Sequence, residues 1–236
     1  MTSALKKNIT ALLPMKANSE RVMGKNLRVL GEKPLFYHIG DTLFRAGIFS
    51  NLIINTDSKE IGDMACKRYK DWVIIHDRPS KLCGDFVSMN KIIEHDLVIC
   101  DGEYYFQTHS TNPLLKKDTI IKAVESYFAN INQHDSLYSV NKIQSRLFDA
   151  EYSPLNHRSG ELIRTQDMNP VYEENSNLYV FSKTSFLAND SNRIGTKPLY
   201  FQTNKIESVD IDDEDDFIIA EAIFEKLRLN EFKKQT

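Results

Sequence analysis

The stretch ITALLPMKANSERVMGKN, residues 9–26, joins a short apolar run to a polar, cationic loop. Ile9 to Leu13 is an apolar run closed by Pro14, too short for a helix, and reads as a buried strand. The loop that follows has no apolar periodicity and carries Lys16, Asn18, Ser19, Arg21, Gly24 and Lys25. A loop of this make-up at the carboxyl end of a first strand can present backbone N–H groups and cationic side chains to a phosphate chain. It is not a P-loop. Lys25 follows Gly24 but precedes Asn26, and no earlier glycine exists to complete G-x-x-x-x-G-K-[ST].

The same strand, loop and helix order repeats downstream. Pro34 opens LFYHIGDTLFRAG, where Leu35, Ile39, Leu43 and Ala46 recur at helical spacing and Gly47 is placed to end the helix. Asn51 to Asn55 reads as a second strand running into Thr56 and Asp57, and Ser58 as the cap of a helix through Cys66. Trp72 to Ile75 is a third strand and Tyr104 to Gln107 a fourth, with helices at Val87 to Val98 and Lys117 to Phe128. This alternation predicts an α/β domain with parallel strands, right-handed crossovers and a ligand site at the strands' carboxyl ends. Further strands are expected at Ser136–Asn141, Asn177–Phe181 and Leu199–Gln202, with a short helix at Phe186 and Leu187. Between them, Lys142 to Pro170 has little periodicity and holds Arg146, Arg158 and Arg164. An excursion of that length implies a lid, a binding loop or an oligomerisation arm.

Composition narrows the function classes. At 236 residues, 41% hydrophobic and 27% charged, the chain supports one sizeable core, and its net charge of -3 argues against a general nucleic-acid footprint. Cys66, Cys83 and Cys100 are widely spaced and form no CxxC pair, which fits a reducing cytoplasm better than a disulfide framework or a zinc site. The amino-terminal MTSALKKNIT lacks a signal-peptide core, and no apolar stretch has the length of a membrane span, so a soluble protein is expected.

Three constellations carry chemistry. In SVDIDDEDDFIIAE, residues 208–221, Asp210 and Asp212 alternate with Val209 and Ile211, so at strand geometry both carboxylates share a face. That pair is a plausible cage for Mg2+. Asp213 to Asp216 read instead as the cap and acidic first turn of a helix carrying Phe217, Ala220, Ile223 and Phe224. The cations Lys16, Arg21, Lys25 and Arg78 are suited to a triphosphate and its departing pyrophosphate. His109 falls directly after the fourth strand, beside Thr111-Asn112-Pro113, at the expected mouth of the sheet.

These residues together resemble the sugar-acid cytidylyltransferase family. LLPMKANSERVMGKN followed by GEKPLFYHI is similar to its opening signature, and NTDSKEI, HSTNPLL, NSNLYVF and SVDIDDEDDFIIAE match later segments in order and spacing. Within the family, the resemblance is strongest to the CMP-N-acylneuraminate synthetase branch. It implies a Rossmann-like α/β domain that joins CMP from CTP to an acidic sugar with Mg2+, releasing pyrophosphate. It implies nucleotide contacts for Lys16, Asn18, Ser19, Arg21, Lys25, Asn26 and Arg78, with Lys16, Arg21, Lys25 and Asp212 catalytic. The metal pair would be Asp210 and Asp212, and the acceptor side His109, Arg164, Asn175 and Tyr179. It further implies a homodimer whose arm is the 142–170 excursion. The sequence departs from the pattern at Lys16, at Glu20, at His109 in place of glutamine and at Glu173-Glu174 in place of Arg-Pro. An octulosonate or phosphonate acceptor is the alternative within the fold, and a nucleotide-binding protein without turnover the alternative outside it.

Overall fold

A computed structural model describes residues 8–17, 21–84 and 86–235. Strand β1, Ile9–Leu12, is fully buried in the interior of a seven-stranded sheet. It pairs in parallel with β4 (Asn51–Thr56) on one side and β6 (Tyr104–Thr108) on the other, and β4 pairs in parallel with β5 (Val73–Asp77). Beyond β6 lie β8 (Val171–Ser182), β7 (Ser136–Ile143) and β9 (Pro198–Gln202), giving the order β5-β4-β1-β6-β8-β7-β9. All seven strands expected from sequence are present. The direction of one differs from the alternation rule: β8 is antiparallel to both neighbours.

The two faces of the sheet explain the patterning. Ile9, Ala11 and Leu13 with Leu52 and Ile54 pack under α1 (Leu35–Ala46), α2 (Lys59–Tyr69) and α4 (Lys117–Asn130). Leu12, Ile53, Tyr105, Tyr179 and Phe181 face the other way, toward α3 (Met89–Ile99) and α5 (Lys183–Ala188). Strands covered on both faces must be apolar at every position, which is why they read as unbroken runs. Helix α1 ends on Gly47 in the left-handed conformation, and Ser58 caps α2 through the Ile61 amide, both as the sequence implied. No helix among the described residues is long and apolar enough to cross a membrane.

Two features lay outside the sequence reading. GEKP forms a small hairpin, β2 (Val29–Leu30) with β3 (Lys33–Pro34), turning at Gly31 with φ +63°. A Cβ at Gly31 would run into the Phe224 ring of α6 (Glu214–Gln235), so glycine is required there for the helix to dock. Leu30, Leu35, Ile211, Phe217 and Ala220 close a third small core at that point. This core holds the segment 209–212 against the first loop.

The excursion begins at residue 144, not 142, because β7 extends to Ile143, and it ends at Val171, where β8 starts six residues before the expected Asn177. It folds back on itself. Leu147 and Leu155 are joined by a backbone hydrogen bond, Phe148 bridges Pro154, Arg146 donates to the Ile163 carbonyl, and Gln144 donates to Gln166 and Met168. Phe148, Tyr152, Leu155 and Leu162 remain largely exposed on it.

Candidate active site

A cleft of about 490 Å³ opens across the carboxyl ends of β1, β4, β5 and β6. Lys16, Arg21, Lys25, Asn26, Arg78, His109, Asp210 and Asp212 all line it. Residues from opposite ends of the chain therefore converge as the strand-end rule requires. Asn18 and Ser19 lie outside the described residues.

The acidic pair faces the cleft by a different route from the one the sequence implied. Residues 208–213 pair with no strand. They are held extended by the Ile211 amide donating to the Thr111 carbonyl at 3.0 Å, and by the Asn112 side chain donating to the Val209 carbonyl at 3.4 Å. The alternation survives, since Val209 and Ile211 enter the third core while Asp210 and Asp212 point the other way. Asp213 and Asp216 cap α6 reciprocally: the Asp216 amide donates to Asp213 at 3.0 Å, and the Asp213 amide donates to Asp216 at 3.1 Å.

Asp210 and Asp212 are electrostatically unlike. Burial pushes the Asp210 carboxyl above its usual range, a Thr111 hydrogen bond opposes this, and the neighbouring Asp212 charge adds to it. Asp210 Oδ1 is buried without a hydrogen-bond partner. Asp212 is half exposed and accepts from Arg21 Nη2 at 2.9 Å, with Lys25 Nζ at 4.0 Å. Lys25 also donates to the Ile211 carbonyl at 2.7 Å, so one ammonium ties the first loop to the acidic segment. Burial lowers the Lys25 pKa, and the Asp212 and Asp210 charges resist that fall.

The remaining sequence candidates sort by what their polar atoms already do. Asn26 donates to the Lys16 carbonyl and accepts from Ser110, and thus joins the first loop to the loop after β6. Arg78 is pinned by Asn55 and the Met15 carbonyl, with Nε at 2.8 Å from Asn55 Oδ1. Asn55 is in turn held by the buried Asp96, which His76 also contacts. His109 is held near a pKa of about 3 by burial, then by the Arg193 and Lys25 charges, and is neutral. Gln107 Oε1 accepts from Arg193, so its amide nitrogen is the donor toward His109 Nε2 at 3.1 Å. The His109 hydrogen therefore resides on Nδ1.

Three acceptor-side candidates do not line the cleft of their own chain. Arg164 is 73% exposed and donates to Asp167 within the excursion. Tyr179 is buried, its hydroxyl donating to Glu174 and lying 3.2 Å from the Ser176 hydroxyl. Asn175 donates to Asn141 at 2.9 Å and Thr203 at 2.6 Å and accepts from the Asn177 amide, tying β8 to β7 and to the loop after β9. Replacing Asn175 by alanine leaves these partners unpaired and is expected to cost about 1–3 kcal/mol of stability. Urea denaturation of the variant against the wild type checks it.

Two cleft residues were not foreseen. Ser176 has φ +55°, in a bulge of β8 opposite Ser139, and the bulge pushes it into the cleft wall. Arg193 comes from the loop after α5, in a run of turn residues, ANDSNRIGTKP, that carries no periodic signal. The reversal of β8 brings the two there, and nothing local in the sequence announces it.

The family model described as cytidylyltransferase matches residues 10–235. The chain belongs to that family. It is 26% identical over 237 residues to an N-acylneuraminate cytidylyltransferase of Escherichia coli O18:K1:H7, covering 94% of this chain and 53% of that protein. Against a CMP-N,N'-diacetyllegionaminic acid synthase of Legionella pneumophila it is 27% identical, with 92% of this chain and 96% of the relative covered. It is also 23% identical to a pseudaminic acid cytidylyltransferase of Campylobacter jejuni, over 76% of this chain and 80% of the relative. The chain thus spans about half the length of the Escherichia coli relative and nearly all of the Legionella one. Among solved structures, a CMP:2-keto-3-deoxy-manno-octonic acid synthetase complexed with CTP superposes with a TM-score of 0.68 at 10% identity, covering 93% of this chain and 99% of that one. A 4-diphosphocytidyl-2C-methyl-D-erythritol synthase from Anaerococcus prevotii gives 0.66 at 14% identity, covering 93% of this chain and 99% of that one. At these identities the superpositions establish a shared α/β fold.

Proposed function

We propose that this protein is a CTP-dependent cytidylyltransferase that joins CMP to a nonulosonic, sialic-acid-like sugar acid and releases pyrophosphate. The observation that carries the reading is the meeting of Lys25 and Arg21 with Asp210 and Asp212 in one cleft, in a chain whose relatives are named for this chemistry on three different nonulosonic acids.

The donor set suits Mg2+. Two carboxylates share the cleft, one with a buried oxygen that has no partner. Among the described residues no group of three or more His, Cys, Asp or Glu side chains is arranged to hold a metal. That leaves most positions of a hard cation to phosphate and water, as Mg2+ prefers. Asp210 and Asp212 would hold the ion, which when bound would neutralise phosphate charge and acidify the acceptor hydroxyl.

The chain's own residues supply the rest. Lys16, Arg21 and Lys25 surround the triphosphate end, where negative charge grows on the leaving pyrophosphate. Arg78, fixed through Asn55, lines the β4 and β5 end of the cleft and presents a rigid donor to the nucleoside. His109 and Ser176 line the opposite end, toward the acceptor. Neutral His109 positions the acceptor by its Nδ1 hydrogen and, with its pKa lowered to about 3, carries no imidazolium proton to donate. Pyrophosphate release from CTP across nonulosonic, octulosonic and phosphonate acceptors tests the reading. Release confined to the nonulosonic acids is expected, and none with any of them would overturn it.

The 144–170 excursion supports a homodimer, because Tyr152 and Leu162 are 89% and 96% exposed on a loop anchored to β7 and β8, and a second copy would cover them. Sedimentation at micromolar concentration is expected to give a dimer that Leu162→Asp weakens; a wild-type monomer with full activity would refute the arm's role. The free cysteines Cys66, Cys83 and Cys100 support a cytoplasmic location.

A further inference from the structure

Among the described residues, Arg193 is the one guanidinium lining the cleft beside β6 and β8, and its surroundings are unusual for an arginine. Its guanidinium carbon lies 3.7 Å from the centre of the Tyr179 ring, and Nη1 donates at 2.6 Å to Gln107 Oε1, a neutral acceptor. Among the described residues no carboxylate forms an ion pair with it. Glu174 is engaged by the Tyr179 hydroxyl and reaches Arg193 only through its charge. Arg21 and Lys25, at the other end, both have the Asp212 carboxylate beside them.

The backbone that delivers Arg193 is built. Its amide donates to Asn90 Oδ1 at 3.4 Å, the Asn90 side chain donates to Asn192 at 3.2 Å, and Ser191 donates to Glu94 at 2.6 Å, which fastens the loop to α3 by three bonds. Ring stacking and the Gln107 bond then fix the plane of the fork. A largely buried, oriented guanidinium without a counter-ion is costly to maintain, and the cost is recovered when a ligand supplies an anion. A planar fork of this kind matches a carboxylate.

We infer that Arg193 is the residue that recognises the carboxylate of the acceptor, with the His109 ring beside it as a further donor. The inference rests on the cytidylyltransferase reading and names the group on which its acceptor selectivity depends. It moves the role from Arg164, which lies outside the cleft of its own chain. Gln107 and Tyr179 are positioning residues that act through Arg193. The proposal accounts for the burial of Tyr179, which the sequence places among acceptor contacts although its ring lies beneath the guanidinium.

The test compares a nonulosonic acid with its C1 amide as acceptor, in the wild type and in Arg193→Gln. The wild type is expected to prefer the acid, and Arg193→Gln to raise the acid's KM about tenfold to a hundredfold, with the CTP KM within twofold of wild type. The preference for acid over amide should fall to near one, an outcome that a purely structural role would not produce. Arg193→Lys keeps the charge without the fork and should give an intermediate preference. It also serves as the reporter if the glutamine variant folds poorly. Undiminished preference in both variants would overturn the assignment and leave the cytidylyltransferase reading standing. Loss of preference in Arg164→Gln but not in Arg193→Gln would return the role to Arg164. No turnover by the wild type on any acceptor would remove the functional reading itself, and this inference with it.

Discussion

Replacing Asp210 by asparagine is expected to lower kcat about a thousandfold and to leave the protein as stable as before or slightly more so. The loss follows from magnitude: charge stabilisation by a divalent ion contributes several kcal/mol, and each 1.36 kcal/mol is a factor of ten. The stability change has the opposite sign because Asp210 is held in an unfavourable state. Its carboxyl is buried, one oxygen has no partner, and the Asp212 charge stands nearby. A carboxyl whose folded pKa is raised destabilises the fold when ionised, and the stability regained on protonation is lost again as pH rises through the folded pKa. The wild type without metal should therefore gain stability as pH falls through that raised value, and the asparagine variant should not. Added Mg2+ should stabilise the wild type alone, by mass action. A variant with wild-type kcat, or one that Mg2+ still stabilises to the same extent, would remove Asp210 from the metal site. The two halves are separable, since activity reports the ion and the stability profile reports the desolvated carboxyl.

The same residue shows how far the sequence can be read. Asp210 and Asp212 were legible as a pair because a two-residue period puts alternate side chains on opposite faces whether or not the segment is hydrogen-bonded to a neighbour. The strand itself is absent, and the apolar partners Val209 and Ile211 alone enforce the period by entering a small core with α6. The central strands were legible for a similar reason, since burial on both faces leaves only apolar residues to choose. The direction of β8 was not legible. A strand carries no mark of its orientation, and the rule that predicted parallel pairing depends on helical crossovers, whereas the long excursion replaces the crossover before β8.

That reversal has consequences for the site. It places the middle of β8, with Ser176 in a left-handed bulge, beside the carboxyl end of β6. It also sends the chain through the short α5 to the loop that delivers Arg193. Sequence reading by strand ends therefore found Lys16, Arg78 and His109, each following a parallel strand, and missed the two residues that depend on the antiparallel one. The resemblance implies acceptor contacts for Arg164 and Asn175; within one chain the excursion holds Arg164 outside the cleft, paired with Asp167, and the Asn175 amide is used within the fold.

Lys25→Met should lower kcat by about a hundredfold to a thousandfold, the scale of removing one fixed donor from developing charge. A less obvious expectation accompanies it. The Lys25 ammonium lies between the first loop and the acidic segment, donates to the Ile211 carbonyl at 2.7 Å and counters the Asp212 and Asp210 charges. Without it the two carboxylates are less neutralised, so Mg2+ should bind the nucleotide-free protein more tightly in the variant than in the wild type. Slower turnover with tighter metal is a combination that a merely misfolded cleft would not give. The pH dependence adds a third readout. Burial holds the Lys25 pKa below the usual lysine range, so the wild-type rate should decline on the alkaline side as the ammonium is lost, earlier than an ordinary lysine would allow. The methionine variant has no such proton to lose, and its residual rate should be flat over the same range. Calorimetric titration of Mg2+ and a pH–rate profile decide the matter: weaker metal binding in the variant, or an unchanged alkaline limb, would show that Lys25 acts only as a strut between Ile211 and the first loop.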